Sequence, residues 1–286
     1  ALTGYDPSSP YLVPGENYSA VGTTSGNWST ILRAEHPMAN APSIGFMSTH
    51  RIYDEGGFGH TIALDLNNQI SPRWRYKIEL ARTETQEPQS DWITSGEKFS
   101  SYTPELDGER FSGYSLFSGI YRQSTNWKTR ADIMLLSPTF RPEMGFEPRN
   151  NRRRFEIGQQ YRGFPNKKYV KNYSIYAETS LYTNYENVVK ERSTFTYSRM
   201  QLSGNINLSF NAKFIEKENY LNIDYENLFN GRFNISWSPN QAFSLGAGIG
   251  GGRQIAYNET NPRIGISRRR GVDLDLQAKG KFQWSL

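Results

Sequence analysis

Met200-Gln201-Leu202-Ser203-Gly204-Asn205-Ile206-Asn207-Leu208-Ser209-Phe210 decides the fold class. Its apolar residues, Met200, Leu202, Ile206, Leu208 and Phe210, all fall at even positions, and Gln201, Ser203, Asn205, Asn207 and Ser209 occupy the odd ones. A helix spaces its apolar side chains by three and four. A period of two puts them on one face of a β-strand. The alternation recurs along the chain. Trp74, Tyr76, Ile78 and Leu80 alternate with Arg75, Lys77 and Glu79, and Ala131, Ile133 and Leu135 with Arg130, Asp132 and Met134. Phe233, Ile235 and Trp237 alternate with Asn234, Ser236 and Ser238, and Val272, Leu274 and Leu276 with Asp273, Asp275 and Gln277. The pattern predicts an all-β chain.

Strands are expected at 28–36, 43–51, 58–67, 73–83, 111–122, 127–137, 151–163, 169–183, 194–210, 214–225, 232–238, 242–256 and 271–278, with a further strand starting at Lys281. Tight connections at 37–42, 68–72, 123–126, 164–168, 211–213, 239–241 and 279–281 carry Asn, Pro, Gly and Ser, as turn chemistry requires. Wider ones fall at 52–57, 84–110, 138–150, 184–193, 226–231 and 257–270. Short and long connections alternate, which is the signature of an antiparallel up-and-down meander. Residues 1–27 are expected to be an irregular segment or loop and 28–286 the sheet domain.

Composition narrows the class. The 286 residues contain no cysteine, which excludes a disulfide scaffold and thiolate zinc sites. No apolar run approaches the roughly 18 residues of a membrane-spanning helix. The net charge is +5, but acidic residues interleave with the basic ones, so no continuous basic face for nucleic acid emerges. Only 36% of residues are hydrophobic, which suits a single sheet with one apolar face. Aromatic residues near the strand ends, among them Trp28, Trp74, Trp127, Tyr161, Trp237 and Tyr257, match the interfacial girdle of an outer-membrane barrel. These features predict an antiparallel up-and-down transmembrane β-barrel of about 13–14 visible strands, in contact with outer-membrane lipid. Closed bacterial barrels have even strand counts, so either the barrel is incomplete at one or both ends or residues 1–27 hide a return strand. On this reading Arg75, Lys77, Glu79, Lys128, Arg130, Asp132, Glu156, Asp273 and Asp275 face the lumen.

The segment Ser137-Pro138-Thr139-Phe140-Arg141-Pro142-Glu143-Met144-Gly145-Phe146-Glu147-Pro148-Arg149-Asn150-Asn151-Arg152-Arg153-Arg154-Phe155 resembles the signature of a Gram-negative outer-membrane β-barrel family of unknown function. The stretch from Phe233 to Gly248 is similar to a turn between two late strands of that family. Thr139 stands where the signature has an acidic residue. In that family the barrel follows a domain that resembles a family-nine carbohydrate-binding module. The resemblance implies an outer-membrane location in a Gram-negative bacterium, and a barrel that serves as a pore or as the anchor of a glycan-binding domain. The alternative is a barrel subunit of a larger envelope assembly, which docks partners through its long loops. Trp92, Phe99 and Tyr102 in the 84–110 connection are the expected partner contacts, with Leu106 beside them.

No catalytic set, metal site or cofactor is expected. His36, His50 and His60 show no metal-ligand spacing. The run from Gly246 to Gly252 has neither the Lys-Ser/Thr nor the helix of a phosphate loop. Carboxylate pairs such as Glu216 with Glu218 and Asp273 with Asp275 share a strand face, where solvated charges are common. The most informative cluster is Arg141, Glu143, Glu147, Arg149, Arg152 and Arg154. It is expected to form an ion-pair lattice that folds the 138–150 loop inward, with Arg149 and Arg154 pairing to Glu143 or Glu147. The chain is read as non-enzymatic.

Overall fold

The computed structural model describes every residue except 18, 38–41, 92, 94–97, 99–100, 258–260, 278–282 and 286, and leaves the side chains of 275–277 and 283–285 undescribed. The chain runs through β1 (Leu2–Asp6), β2 (Ser9–Val13), β3 (Ala20–Thr24), β4 (Asn27–Pro37), β5 (Ser43–Tyr53), β6 (Phe58–Ser71) and β7 (Trp74–Gln86). The two-residue strands β8 (Gln89–Ser90) and β9 (Leu106–Asp107) come next, then β10 (Arg110–Gln123), β11 (Trp127–Leu136), β12 (Arg152–Gly163) and β13 (Val170–Thr183). The last are β14 (Val189–Leu202), β15 (Ile206–Tyr220), β16 (Ile223–Asn240), β17 (Phe243–Ile255), β18 (Ile264–Gln277) and β19 (Gln283–Ser285). Fifteen strands form one sheet in the order β1-β4-β5-β6-β7-β10-β11-β12-β13-β14-β15-β16-β17-β18-β19, while β2–β3 and β8–β9 are separate two-stranded ribbons.

The all-β meander is present, but the closed barrel is not. Among the described residues β1 pairs only with β4 and β19 only with β18, so the two lie at opposite edges of an open sheet. An open edge leaves a row of backbone N–H and C=O groups unpaired, which hydrocarbon cannot satisfy. The expected pore, membrane anchor, envelope-assembly subunit, lipid contact and outer-membrane location all rested on closure, and the open sheet removes that basis. Among the described residues no helix is long and apolar enough to cross a membrane. Residues 1–27 supply an edge strand, β1, and the β2–β3 hairpin.

Turn placement also differs from expectation. The run from Met200 to Phe210 is a hairpin, not one strand: Leu202 faces Ile206 across a turn in which Gly204 has φ +76° and Asn205 has φ +57°. Leu202 and Ile206 are four positions apart, so the turn keeps the apolar parity and leaves no break in the alternation. The expected turn at 211–213 lies inside β15, and the real one is Leu221-Asn222, with φ of +51° and +61°.

By contacts the chain divides into two units. The first comprises Ala1–Tyr121, Ala131–Phe155 and Tyr182–Val188. Register places Tyr53, Thr49, Gly59, Thr61, Thr83 and Thr85 on one face of β5–β7, and all but Gly59 are marked by near-complete burial of their side chains. The β2–β3 hairpin and the 138–150 loop reach this face. Tyr11, Val13, Tyr53, Ile93 and Leu106 form the core there. On the opposite face Trp28, Leu32, Ile44, Ile52, Ile62, Leu64 and Leu80 are exposed.

The second unit comprises Arg122–Arg130, Glu156–Leu181 and Val189–Leu286. Met200, Leu208, Ile235, Ala247 and Val272 form one cross-strand row, and Phe210, Phe233 and Ile249 lie in the next. Directly paired antiparallel residues share a face, so these rows make one contiguous apolar surface. The reverse face is polar. Gly246, Gly248, Gly250 and Gly252 fall on it, and Arg232 lies across Gly248 and Gly250, where a β-carbon would crowd its side chain. A small cluster of Tyr225, Leu228 and Ile255 is the buried core of this unit.

Candidate functional site

A buried polar cluster is built in the first unit from residues far apart in sequence. The 138–150 loop, stiffened by Pro138, Pro142 and Pro148, lies on the β5–β7–β10 surface through two glycines. A β-carbon on Gly59 would sit 1.7 Å from Glu143 Cγ, and one on Gly113 would sit 2.4 Å from the Phe140 backbone. At both places only glycine lets the loop approach. The hairpin is fixed from below by Asn27, fully buried, whose Nδ2 donates to Ser9 Oγ at 2.9 Å.

Two carboxylates organise the centre. Glu143 accepts hydrogen bonds from the Tyr11 hydroxyl at 2.9 Å and the Tyr53 hydroxyl at 2.6 Å. Arg141 donates from its backbone to Thr83 Oγ1 at 3.3 Å and from Nη1 to Glu87 Oε1 at 2.6 Å. Its guanidinium lies 4.9 Å from the centre of the Phe111 ring, and its side chain and that of Glu87 are 2% and 0% exposed. Burial of both ions costs several kcal/mol, which only good geometry and added hydrogen bonds offset. Burial pushes the Glu87 carboxyl up to about 7 against the pull of Arg141, and Asp107 and Glu109 add to the rise. Burial also raises Glu143, opposed by Arg141 and by the two tyrosine hydroxyls. Tyr11 and Tyr53 are held well above the usual phenol range, chiefly by burial and then by Glu143, so both act as proton donors to it.

Glu87 also meets two other acids. Its N–H donates to the Glu109 carbonyl at 3.0 Å, and Gln89 faces Asp107 in the β8–β9 ribbon. This register sets Glu87, Asp107 and Glu109 on one side, with a carboxylate oxygen of each within 4.8 Å of the others.

The other residues singled out by sequence are spread over both units. Glu147 accepts the Arg149 backbone N–H at 3.3 Å, and Gly15 and Arg149 form an isolated parallel bridge to the hairpin. Arg152 stacks 4.5 Å from the Tyr182 ring centre and Arg154 pairs with buried Asp132 at 3.5 Å, and the charges of both arginines also act on Glu147, against the rise that burial gives its carboxyl. Arg75, Lys77 and Glu79 share the face of Thr83 and Thr85, and Glu79 stands opposite Asp65. In the second unit Arg130 bridges Glu156 and Glu178, and Asp273 faces Gly246 on the polar side. Lys128 lies on β11, half-buried. The side chain of Asp275, and Trp92 and Phe99 altogether, lie outside the described residues. Tyr102 packs 5.2 Å from Phe111 and Leu106 is 2% exposed, so both serve the core of the loop. Sequence reasoning missed Tyr11, Tyr53, Glu87, Asp107 and Glu109. None lies in a motif, and contact alone brings them together.

No protein-family model, curated protein or solved structure matches the chain. The resemblance of the 137–155 segment to an outer-membrane barrel family therefore does not extend to a family match, and the open sheet contradicts the barrel it implied.

Proposed function

We propose that this chain is a non-catalytic β-sheet module that acts by association, its apolar β14–β18 face packing against the same face of a second copy. The observation that carries the reading is the exposure of that face: Phe210, Phe214, Phe229, Phe233 and Trp237 are each 38–44% exposed, and Ile249 is 58% exposed. Large aromatic side chains offer about 150–250 Å² each, so these five alone leave roughly 400 Å² of apolar surface uncovered. That is already the size at which a patch on a single chain signals a contact. Burying it on two copies gives roughly 20 kcal/mol gross at about 25 cal/mol/Å². This exceeds the association cost of about 4–15 kcal/mol. Bulky and small positions are interspersed, as sheet-on-sheet packing requires. Phe233, Ile235, Ala247, Ile249 and Val272, together with Arg270 beside Ile249, line a depression of 550 Å³, with room for a ring from the facing copy.

The bonds of Glu143 to the Tyr11 and Tyr53 hydroxyls and of Glu87 Oε1 to Arg141 support the non-catalytic part, because they commit these groups to one another. Ser48 Oγ lies 3.2 Å from His60 Nε2, and Glu84 stands opposite His60, which outlines a nucleophile, a base and an acid. All three sit within paired strands, whose N–H groups are committed to the ladder and cannot form an oxyanion hole.

Light scattering on the purified chain tests the reading. A dimer is expected, and Phe233→Glu combined with Ile235→Lys should give a monomer with an unchanged β-sheet spectrum. A wild-type monomer in plain buffer, or a monomer soluble only with detergent bound, would overturn it.

A further inference from the structure

We infer that Glu87, Asp107 and Glu109 form a calcium site that ties the β8–β9 ribbon to the sheet. Three carboxylates close together are not by themselves a site, but two further features point to a cation. The first is the orphaned oxygen of Glu87. Its Oε1 is taken by Arg141, while Oε2 is buried without a hydrogen-bond partner, on a side chain that is 0% exposed. A buried carboxylate oxygen with no donor is costly, and a bound cation removes that cost.

The second feature is register. The Glu87–Glu109 backbone bond and the Gln89–Asp107 pair continue one antiparallel ladder, so the three acids are presented on the same side by construction. The surroundings hold two of them in place. Glu109 Oε2 accepts the Thr103 N–H at 2.9 Å, and Asp107 Oδ1 accepts the Glu109 N–H at 3.3 Å. Each retains a second oxygen for an ion.

The donor set selects the metal. Three oxygens with no nitrogen or sulfur favour a hard cation over zinc or copper. Oxygens on one calcium lie about 2.3–2.6 Å from it, hence up to about 5 Å apart, and the three carboxylate oxygens here lie within 4.8 Å of one another. Magnesium needs oxygens at about 2.0–2.1 Å in a near-ideal octahedron, a demand that a short ribbon on a long connection meets poorly. Water and the exposed Gln89 amide would complete the coordination. The partly open setting fits the weak class of calcium sites, with Kd on the order of 10⁻⁴–10⁻³ M.

The experiment is calorimetric titration of the whole chain with calcium chloride, alongside limited proteolysis of the 88–107 connection. Saturable binding is expected, together with slower cleavage there that EDTA reverses. Asp107→Asn should weaken binding at least tenfold, and Asp107 is exposed, so this variant keeps the fold. Glu109→Gln serves as a second variant with the same expectation. No binding heat up to about 10 mM calcium, tenfold above the weakest class, would overturn the inference. So would unchanged affinity in both variants, or saturation by magnesium and not by calcium.

Discussion

Gly59→Ala is the sharpest test of how the buried cluster is held. The added β-carbon would lie 1.7 Å from Glu143 Cγ and 2.5 Å from its Cβ. Carbon atoms need about 3.5–4.0 Å, so Glu143 must move by roughly 2 Å. Gly59 itself cannot yield, because it is locked in register between Arg51 and Thr85. The movement stretches the bonds to the Tyr11 and Tyr53 hydroxyls from 2.9 and 2.6 Å beyond hydrogen-bonding range. Both tyrosines are at most 2% exposed, so neither hydroxyl regains water. Each buried unsatisfied hydroxyl costs about 1–3 kcal/mol. Replacing glycine by alanine in a strand returns about 0.5–1 kcal/mol. The net expectation is a loss of about 1–5 kcal/mol in urea denaturation, with faster protease cleavage within 138–150. A change below about 0.5 kcal/mol, the ordinary surface range, with unaltered cleavage would refute the close-packed loop.

Arg141→Ala strands the Glu87 carboxylate and should cost about 3–5 kcal/mol by urea denaturation. Leu221→Gly should stabilise the chain by about 1 kcal/mol in the same assay, because Leu221 sits at φ +51° on an exposed turn where a β-carbon is strained. Glu143 has its folded pKa raised by burial, so its proton is held more tightly in the folded state. Its contribution is therefore fully present below the ordinary carboxylate range and is lost as pH rises through the folded pKa. Denaturation across pH should show wild type losing stability relative to Glu143→Gln as pH rises through that window, and parallel curves would contradict the assignment.

The period of two made the strands legible because it is a local property. Turns were legible only where they broke it. Ser203-Gly204-Asn205 preserves the parity between Leu202 and Ile206, so the hairpin stayed hidden inside an unbroken alternation. Closure was not legible at all. An apolar face and a polar face follow from alternation whether or not the first strand meets the last. The site was half legible. The proline-stiffened, charge-rich loop from Pro138 to Asn150 marked one wall, but Tyr11 lies 132 residues from Glu143, and nothing local announces that contact. The arginine run dispersed for a simple reason. Consecutive strand residues point to opposite faces, so Arg152, Arg153 and Arg154 find a ring, a loop carbonyl and a buried aspartate respectively.

The buried cluster has a consequence for folding that its net energy understates. A sheet exposed on its apolar face has weak register control, because a slip of one residue meets little steric objection there. On the opposite face such a slip is prohibitive. Moving β6 by one position would bring His60, an imidazole, to the place where Gly59 admits Glu143, and would turn Thr61 away from the covered side. A slip in β10 would replace Gly113 by Ser112 or Tyr114 beneath the Phe140 backbone. Either change expels the 138–150 loop and strands the ion pair of Arg141 with Glu87. The pair itself, after desolvation, contributes little net stability. Its value is that both slips leave the Glu87 carboxylate without Arg141 and the Tyr11 and Tyr53 hydroxyls without Glu143. The polar side thus selects one alignment of strands, and that alignment arranges the apolar rows of the first unit.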